Sequence, residues 1–153
     1  MSKFWLVKSE PSCYSIDDLA KDKQAYWSGV RNYQARNFMR DEMKIGDGVL
    51  FHHSNANPSG IAGIARVCKE AHPDFTAWDP QDDHFDPKAS PENPIWMMVD
   101  IAFERKFDRL LSLEFLHGFS ELSSMMLLKK GSRLSVMPVE EVHFKRICEL
   151  SKS

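Results

Sequence analysis

The chain has 153 residues, 42 % of them apolar, with ten Phe and four Trp; that is enough for one domain with a buried core and excludes a disordered polymer. Its 20 basic and 22 acidic residues leave a net charge of −2, which excludes a protein that coats phosphate backbones through bulk positive charge. No apolar run approaches the roughly 18–20 residues of a membrane span, and the first residues lack the cationic start and apolar stretch of a signal peptide.

Lys3 to Lys8 alternates as a strand, with Phe4, Leu6 and Lys8 on one face and Trp5 and Val7 on the other. Ser9-Glu10-Pro11 stops it. Ser15 followed by Asp18 reads as an N-cap with an acid in the first turn, opening a helix over Ile16 to Asp22. Asn32 caps a second helix, Tyr33 to Met43, whose Ala35, Phe38, Met39 and Met43 have helical spacing. Gly46-Asp47-Gly48 is a turn into a strand over Val49 to His53. Asn55 to Gly60 is a turn-rich loop, and Ile61 to Val67 returns as a second strand, so the two form a hairpin. Asp79 to Pro94 carries four prolines and reads as an irregular surface loop. Ile95 to Phe103 alternates as a strand. Ser112 caps a short helix, Leu113 to His117. Ser132 to Met137 is the last strand, and Pro138 suits the first position of a C-terminal helix, Val139 to Leu150. Five or so short strands with interspersed helices predict a single α+β domain, residues 1–153, on a small, curved, mostly antiparallel sheet.

The segment most able to carry chemistry is Trp27 to Asn37 (WSGVRNYQARN). It sets an aromatic, a flexible Gly turn, amides and arginines at a helix start. Amides bond base edges in paired fashion, arginines hold phosphate or stack on rings, and aromatic faces stack bases. Read as structure alone, it is a capped surface helix. Lys8-Ser9-Glu10 places a cation, a hydroxyl and a carboxylate at a strand end, where a Glu can accept from a base amino group. His52 and His53 are strand neighbours and point to opposite faces, so they cannot together chelate one metal. Trp5, Trp78 and Trp96 have the chemistry to stack a base but equally that of a core. EF-hand, HExxH and Cys/His-knuckle spacings are absent, so no metal is expected. GxSxG, Walker A and GxGxxG are absent too, so no cofactor and no catalytic residue is expected. Cys13, Cys68 and Cys148 are odd in number and widely spaced. They read as small hydrophobes in a reducing cytoplasm or nucleus, with the cytoplasm the expected location.

Four stretches taken together resemble the EVE domain family: WLVKSEP (Trp5 to Pro11), WSGVRNYQARN, GDGVLFHHS (Gly46 to Ser54) and GIAGIARV (Gly60 to Val67). The likeness continues through Trp78-Asp79-Pro80, Val99-Asp100-Ile101 and Leu134 to Glu141, nearly the whole chain. The resemblance implies a PUA-like fold, a curved antiparallel sheet closing into a pseudobarrel flanked by short helices. It implies a nucleic-acid reader, not an enzyme, that extracts one base, expected to be a modified cytosine in DNA or a modified RNA base. By the same resemblance the pocket draws on Lys8, Ser9 and Glu10, on Trp27, Val30, Asn32 and Gln34, and on His53 and Ser54. Trp78 is expected on its outer wall, and Arg31 and Arg36 on backbone phosphates. The family often has Tyr-His-Ser where this chain has His52-His53-Ser54; the change at His52 is expected on the face away from the pocket, with the choice between His52 and His53 as ligand contact left open.

Three readings follow. A modified-base reader should discriminate a modified base from a plain one and lose binding when Trp27 becomes Ala. A PUA-like module for structured RNA should be salt-sensitive and indifferent to modification. A small hydrolase should turn over a substrate and fail when Lys8 or Glu10 is replaced. The first is preferred: a near-neutral chain with one small basic segment suits capture of one base, whose flipping costs a few kcal/mol that stacking and edge bonds must offset. DNA or RNA is the expected partner, with an effector protein as a further one, no membrane, and the chain a monomer.

Overall fold

The computed structural model describes residues 3–129 and 134–152. Strand β1 (Phe4–Ser9) sorts its side chains by alternation: Trp5 and Val7 enter one core cluster and Leu6 the other. Helix α1 (Ile16–Asp22) starts at a complete capping box, in which Ser15 accepts from the Asp18 N–H and the Asp18 carboxylate accepts from the Ser15 N–H. Strand β2 (Gln24–Tyr26) is a three-residue edge piece, too short for periodicity to reveal. Helix α2 (Tyr33–Asp41) is capped by Asn32, whose side chain accepts from the Ala35 N–H, and buries Ala35 and Met39. It ends two residues before the spacing suggests; Met43 is still buried, reached by the turn that follows the helix.

Strands β3 (Gly48–His53) and β4 (Gly60–Pro73) form the expected antiparallel hairpin. Strand β5 (Met97–Ser112) runs nine residues beyond the apolar alternation that ends at Phe103. The extra length is dictated by pairing: β4 and β5 stay in contact from Pro73↔Met97 to Gly60↔Ser112 through four register shifts. Such bulges bend a sheet, and they hide β5 from a strict period of two. Helix α3 (Leu113–His117) is capped by Ser112 as expected.

Ser132 and Arg133 lie outside the described residues. Strand β6 is Val136–Val139, and Pro138 sits within it, opposite Trp5, instead of opening the helix. An edge strand tolerates a proline because its missing N–H faces no partner. Helix α4 (Glu141–Leu150) begins after Glu140.

The six strands are ordered β2-β5-β4-β3-β1-β6. Only β1–β3 is parallel, and the other four pairings are antiparallel. The curved, mostly antiparallel sheet of an α+β fold is therefore present, but it stays open, with β2 and β6 as edges. One core cluster joins the sheet to α1 and α2 through Ile16, Leu19, Ala35 and Met39. The other joins the opposite face to α3 and α4 through Leu116, Phe144 and Ile147. Among the described residues no helix is long and apolar enough to cross a membrane.

Candidate functional site

A cavity of about 1000 Å³ opens where the end of β1, the β2 edge and the segment after β2 converge. Its volume lies at the upper end of small-ligand sites. Lys8, Ser9 and Glu10 line it from the end of β1, and Trp27, Ser28, Gly29 and Val30 from the turn before α2. Tyr14, Asp22, Gln24, Tyr26, His84 and Asp100 complete much of the wall. The cavity thus mixes aromatic and apolar surface with carboxylates, a cation, an amide and hydroxyls, the mixture a base with a polar edge requires.

The Trp27–Val30 wall is held from two sides. The Trp27 N–H donates to the Val99 carbonyl at 2.7 Å, an extension of the β2–β5 ladder. Gly29 takes a φ of +84°, a backbone conformation that favours glycine, and a Cβ there would lie 2.8 Å from the His84 ring, which would have to shift. Asp74, fully buried, anchors the same turn. One of its oxygens accepts from the Gly29 N–H at 2.8 Å and the Arg31 guanidinium at 3.0 Å; the other accepts from the Thr76 N–H at 2.9 Å and the Thr76 hydroxyl at 2.6 Å. Burial alone would push the Asp74 carboxyl up, but the bonds from Thr76 and Gly29 and the Arg31 charge outweigh it and hold the carboxyl below its usual range. Trp27 is only 8 % exposed and meets Tyr14 and Phe51 edge-on, so it is a fixed wall and not a mobile flap.

The polar wall is partly pre-bonded. The Ser9 hydroxyl donates to the Tyr14 carbonyl at 2.7 Å, and Asn55 donates to Glu10 at 2.7 Å. Tyr14 donates to Asp22 at 2.8 Å; burial first, and that carboxylate second, push its phenol well up. Asp100 pairs with His72 at 2.8 Å. Burial lowers the Lys8 ammonium from its ordinary value. Glu10 remains exposed at the rim, and Ser28 is half-buried.

Of the residues singled out in the sequence, Lys8, Ser9, Glu10, Trp27 and Val30 come together in this cavity. The others lie elsewhere. Asn32 is the cap of α2, and Gln34 is exposed on the first turn of that helix. His53 accepts from the Ile16 N–H at 3.1 Å and so fixes the start of α1. Ser54 donates its backbone N–H to the Ser9 carbonyl. Trp78 packs beside Ala77, Ala89 and Trp96. His52 is 2 % exposed with both ring nitrogens unpartnered, and burial pushes its pKa to about 4; it is interior, and neither histidine lines the cavity.

The arginines also face inward. Arg31 bonds Asp74, Thr76 and the carbonyls of Val30 and His84. Arg36 bonds Asn37 and the Ile95 carbonyl while lying over the Tyr33 and Trp96 rings. A phosphate would have to displace these bonds. The wall residues the sequence did not announce include Tyr14, Asp22, Gln24, Tyr26, His84 and Asp100. A local signal marked only one part of this: the aspartates of the proline-rich loop form Asx turns at Asp79, Asp82 and Asp86, and those turns carry His84 to the cavity. Among the described residues no group of His, Cys, Asp or Glu is arranged to hold a metal ion, and the three cysteines are unpaired.

The model of the EVE domain matches residues 3–150. The chain belongs to the EVE domain family. It is 40 % identical to thymocyte nuclear protein 1 of Rattus norvegicus over all of this chain and 75 % of the relative. The same protein of Homo sapiens is 39 % identical, covering 99 % of this chain and 75 % of the relative. Among solved structures, a hypothetical protein from Leishmania major superposes with a TM-score of 0.95 at 47 % identity, covering 99 % of this chain and 95 % of that one. Human thymocyte nuclear protein 1, solved in complex with DNA containing 5-methylcytosine, superposes with a TM-score of 0.91 at 36 % identity, covering 99 % of each chain. A YTH domain from Zygosaccharomyces rouxii at 16 % identity and a TM-score of 0.57 shares the fold.

Proposed function

We propose that this EVE domain is a non-catalytic reader that holds one flipped, modified cytosine of DNA in the cavity between β1 and the Trp27–Val30 turn. The observation that supports this most is the match in fold and sequence to a protein solved with 5-methylcytosine DNA, combined with a cavity of suitable chemistry in this chain. Glu10 at the rim accepts from a cytosine amino group, the base edge pattern for which a carboxylate is suited. Lys8 and Ser28 address the acceptor positions of the ring. Trp27 and Val30 supply the apolar wall against which a 5-methyl group packs. Asn32, His53, Ser54 and Trp78 support the site's frame, and Arg31 and Arg36 stiffen it. The chain acts as a monomer, and a bound effector protein converts the mark into an outcome. Its unpaired thiols suit the cytoplasm and the nucleus alike.

The test is a titration at fixed salt of matched oligonucleotides carrying cytosine, 5-methylcytosine or 5-hydroxymethylcytosine. The wild type should prefer a modified oligonucleotide by about tenfold or more, roughly 1.4 kcal/mol, and Trp27→Ala should abolish the preference. Because Trp27 is nearly buried, Glu10→Gln serves as the exposed variant whose folding is not at stake. Equal, salt-dependent binding of all three oligonucleotides would overturn the reading.

One observation favours hydrolysis as a second reading. At a smaller cavity of about 440 Å³, His143 lies 3.3 Å from the Ser124 hydroxyl through Nε2 and 3.3 Å from Glu140 through Nδ1. That is the order of a nucleophile, base and orienting acid. Both distances are long for hydrogen bonds, and Glu140 is 72 % exposed, so the arrangement ranks second. Turnover of a nitrophenyl ester that disappears in Ser124→Ala would raise it; equal background rates would remove it.

A further inference from the structure

Most large apolar side chains of this protein are buried, but Tyr26 and Phe75 are not: they are 51 % and 46 % exposed. They come from separate elements, Tyr26 from the end of β2 and Phe75 from the short 3-10 turn Phe75–Trp78 after β4. Their rings meet with centroids 5.2 Å apart at 62°, an edge-to-face contact. Such a contact covers at most one of the four ring faces. Tyr33, a further exposed aromatic, differs: it stacks on Trp96 at 4.8 Å and 28°, with the Arg36 guanidinium 4.9 Å from its ring.

Position makes the pair informative. Tyr26 is itself part of the cavity wall, and Trp27 follows it directly. Phe75 follows Asp74, the buried carboxylate that anchors Gly29 and Arg31. The two rings are therefore carried on the same braced framework as the cavity, and little conformational entropy is lost when they are used.

Resting on the reading above, we infer that Tyr26 and Phe75 form a stacking platform for the nucleotide adjacent to the base held in the cavity. Extracting a base leaves its neighbour with one unstacked face. An open aromatic face at the cavity mouth replaces the lost stacking, and it does so without regard to sequence because every base has a π-face. The occupant is the flanking nucleotide of the same strand, since the platform is continuous with the cavity wall. The reader is thus built for a base within a strand, and its affinity for a strand exceeds its affinity for an isolated nucleoside.

The experiment is a cycle of two changes read by oligonucleotide titration. One change is Phe75→Leu, with Tyr26→Leu as an independent variant; each keeps apolar volume and removes the π-face. The other places an abasic site beside a single 5-methylcytosine, on either side in separate oligonucleotides. Thermal melting checks that both exposed-site variants stay folded. Each change alone should weaken binding about fivefold or more, and the two together should cost little more than one, because they remove the same contact. Full affinity of both variants for the intact oligonucleotide, or losses that simply multiply, would overturn the platform. A wild type with no preference for 5-methylcytosine would instead overturn the base-reading itself, and the platform with it. A preference retained alongside unchanged Leu variants would sink the platform alone.

Discussion

Replacing Asp74 by Ala should destabilise the protein by about 3 kcal/mol and weaken oligonucleotide binding, though Asp74 does not line the cavity. Its carboxylate is fully buried and accepts from Gly29, Arg31 and both donors of Thr76. The Ala variant leaves the Gly29 and Thr76 N–H groups without an acceptor and the Arg31 charge without its partner. Breaking a buried ion pair from one side costs about 3–5 kcal/mol. Arg31 keeps 21 % side-chain exposure and the carbonyls of Val30 and His84, which places the cost at the lower end. For a domain of this size, about 3 kcal/mol corresponds to a fall in melting temperature of roughly 6–12 °C. Asp74→Asn keeps the volume but turns an amide NH₂ toward donors on one side, so it should cost about 2 kcal/mol. Urea unfolding at pH 7 with an unchanged m-value measures both. A loss below about 1 kcal/mol in Asp74→Ala would refute the anchoring role, as would full oligonucleotide affinity in a variant destabilised to the expected extent.

The buried imidazole of His52, held down to about 4, makes stability depend on pH. An unfolded histidine titrates near 6.5, so as pH falls the unfolded chain takes up the proton first. Stability should be full above about pH 6.5 and fall by about 3 kcal/mol on reaching pH 4, and His52→Phe should flatten that part of the curve; an unchanged slope would exclude His52 as its source. Gly29→Ala forces a side chain into φ +84° and into the His84 ring, which should cost about 1–3 kcal/mol and shift the His84 ring resonances; an unaltered melting temperature would count against this account. Gly60→Ala drives a Cβ into the Leu111 carbonyl of β5, with an expected loss of about 2–3 kcal/mol; amide exchange should quicken along the β4–β5 ladder, and unchanged protection there would contradict the close approach.

Local chemistry determined much of what the sequence reveals. Period-two alternation in β1 sorts Trp5 and Val7 from Leu6, and the Ser15–Asp18 box and the Asn32 cap start their helices without help from distant residues. These signals act within one turn or one strand period. The cavity was legible where two such segments carry its chemistry in compact motifs, Lys8 to Glu10 and Trp27 to Val30. Tertiary structure alone decided the rest. The direction of Arg31 is set by Asp74, 43 positions away, and that of Arg36 by the Ile95 carbonyl, 59 positions away. Pro138 reads as a helix start but lies in a strand because β6 occupies an edge, where its missing N–H is tolerated. The length of β5 follows from its pairing with β4, and the placement of His84 from the folding of the proline-rich loop over Gly29. Sequence supplies the groups that can bond a base, but a donor takes whichever acceptor the fold brings nearest. That choice depends on strand order and register, which no local period encodes.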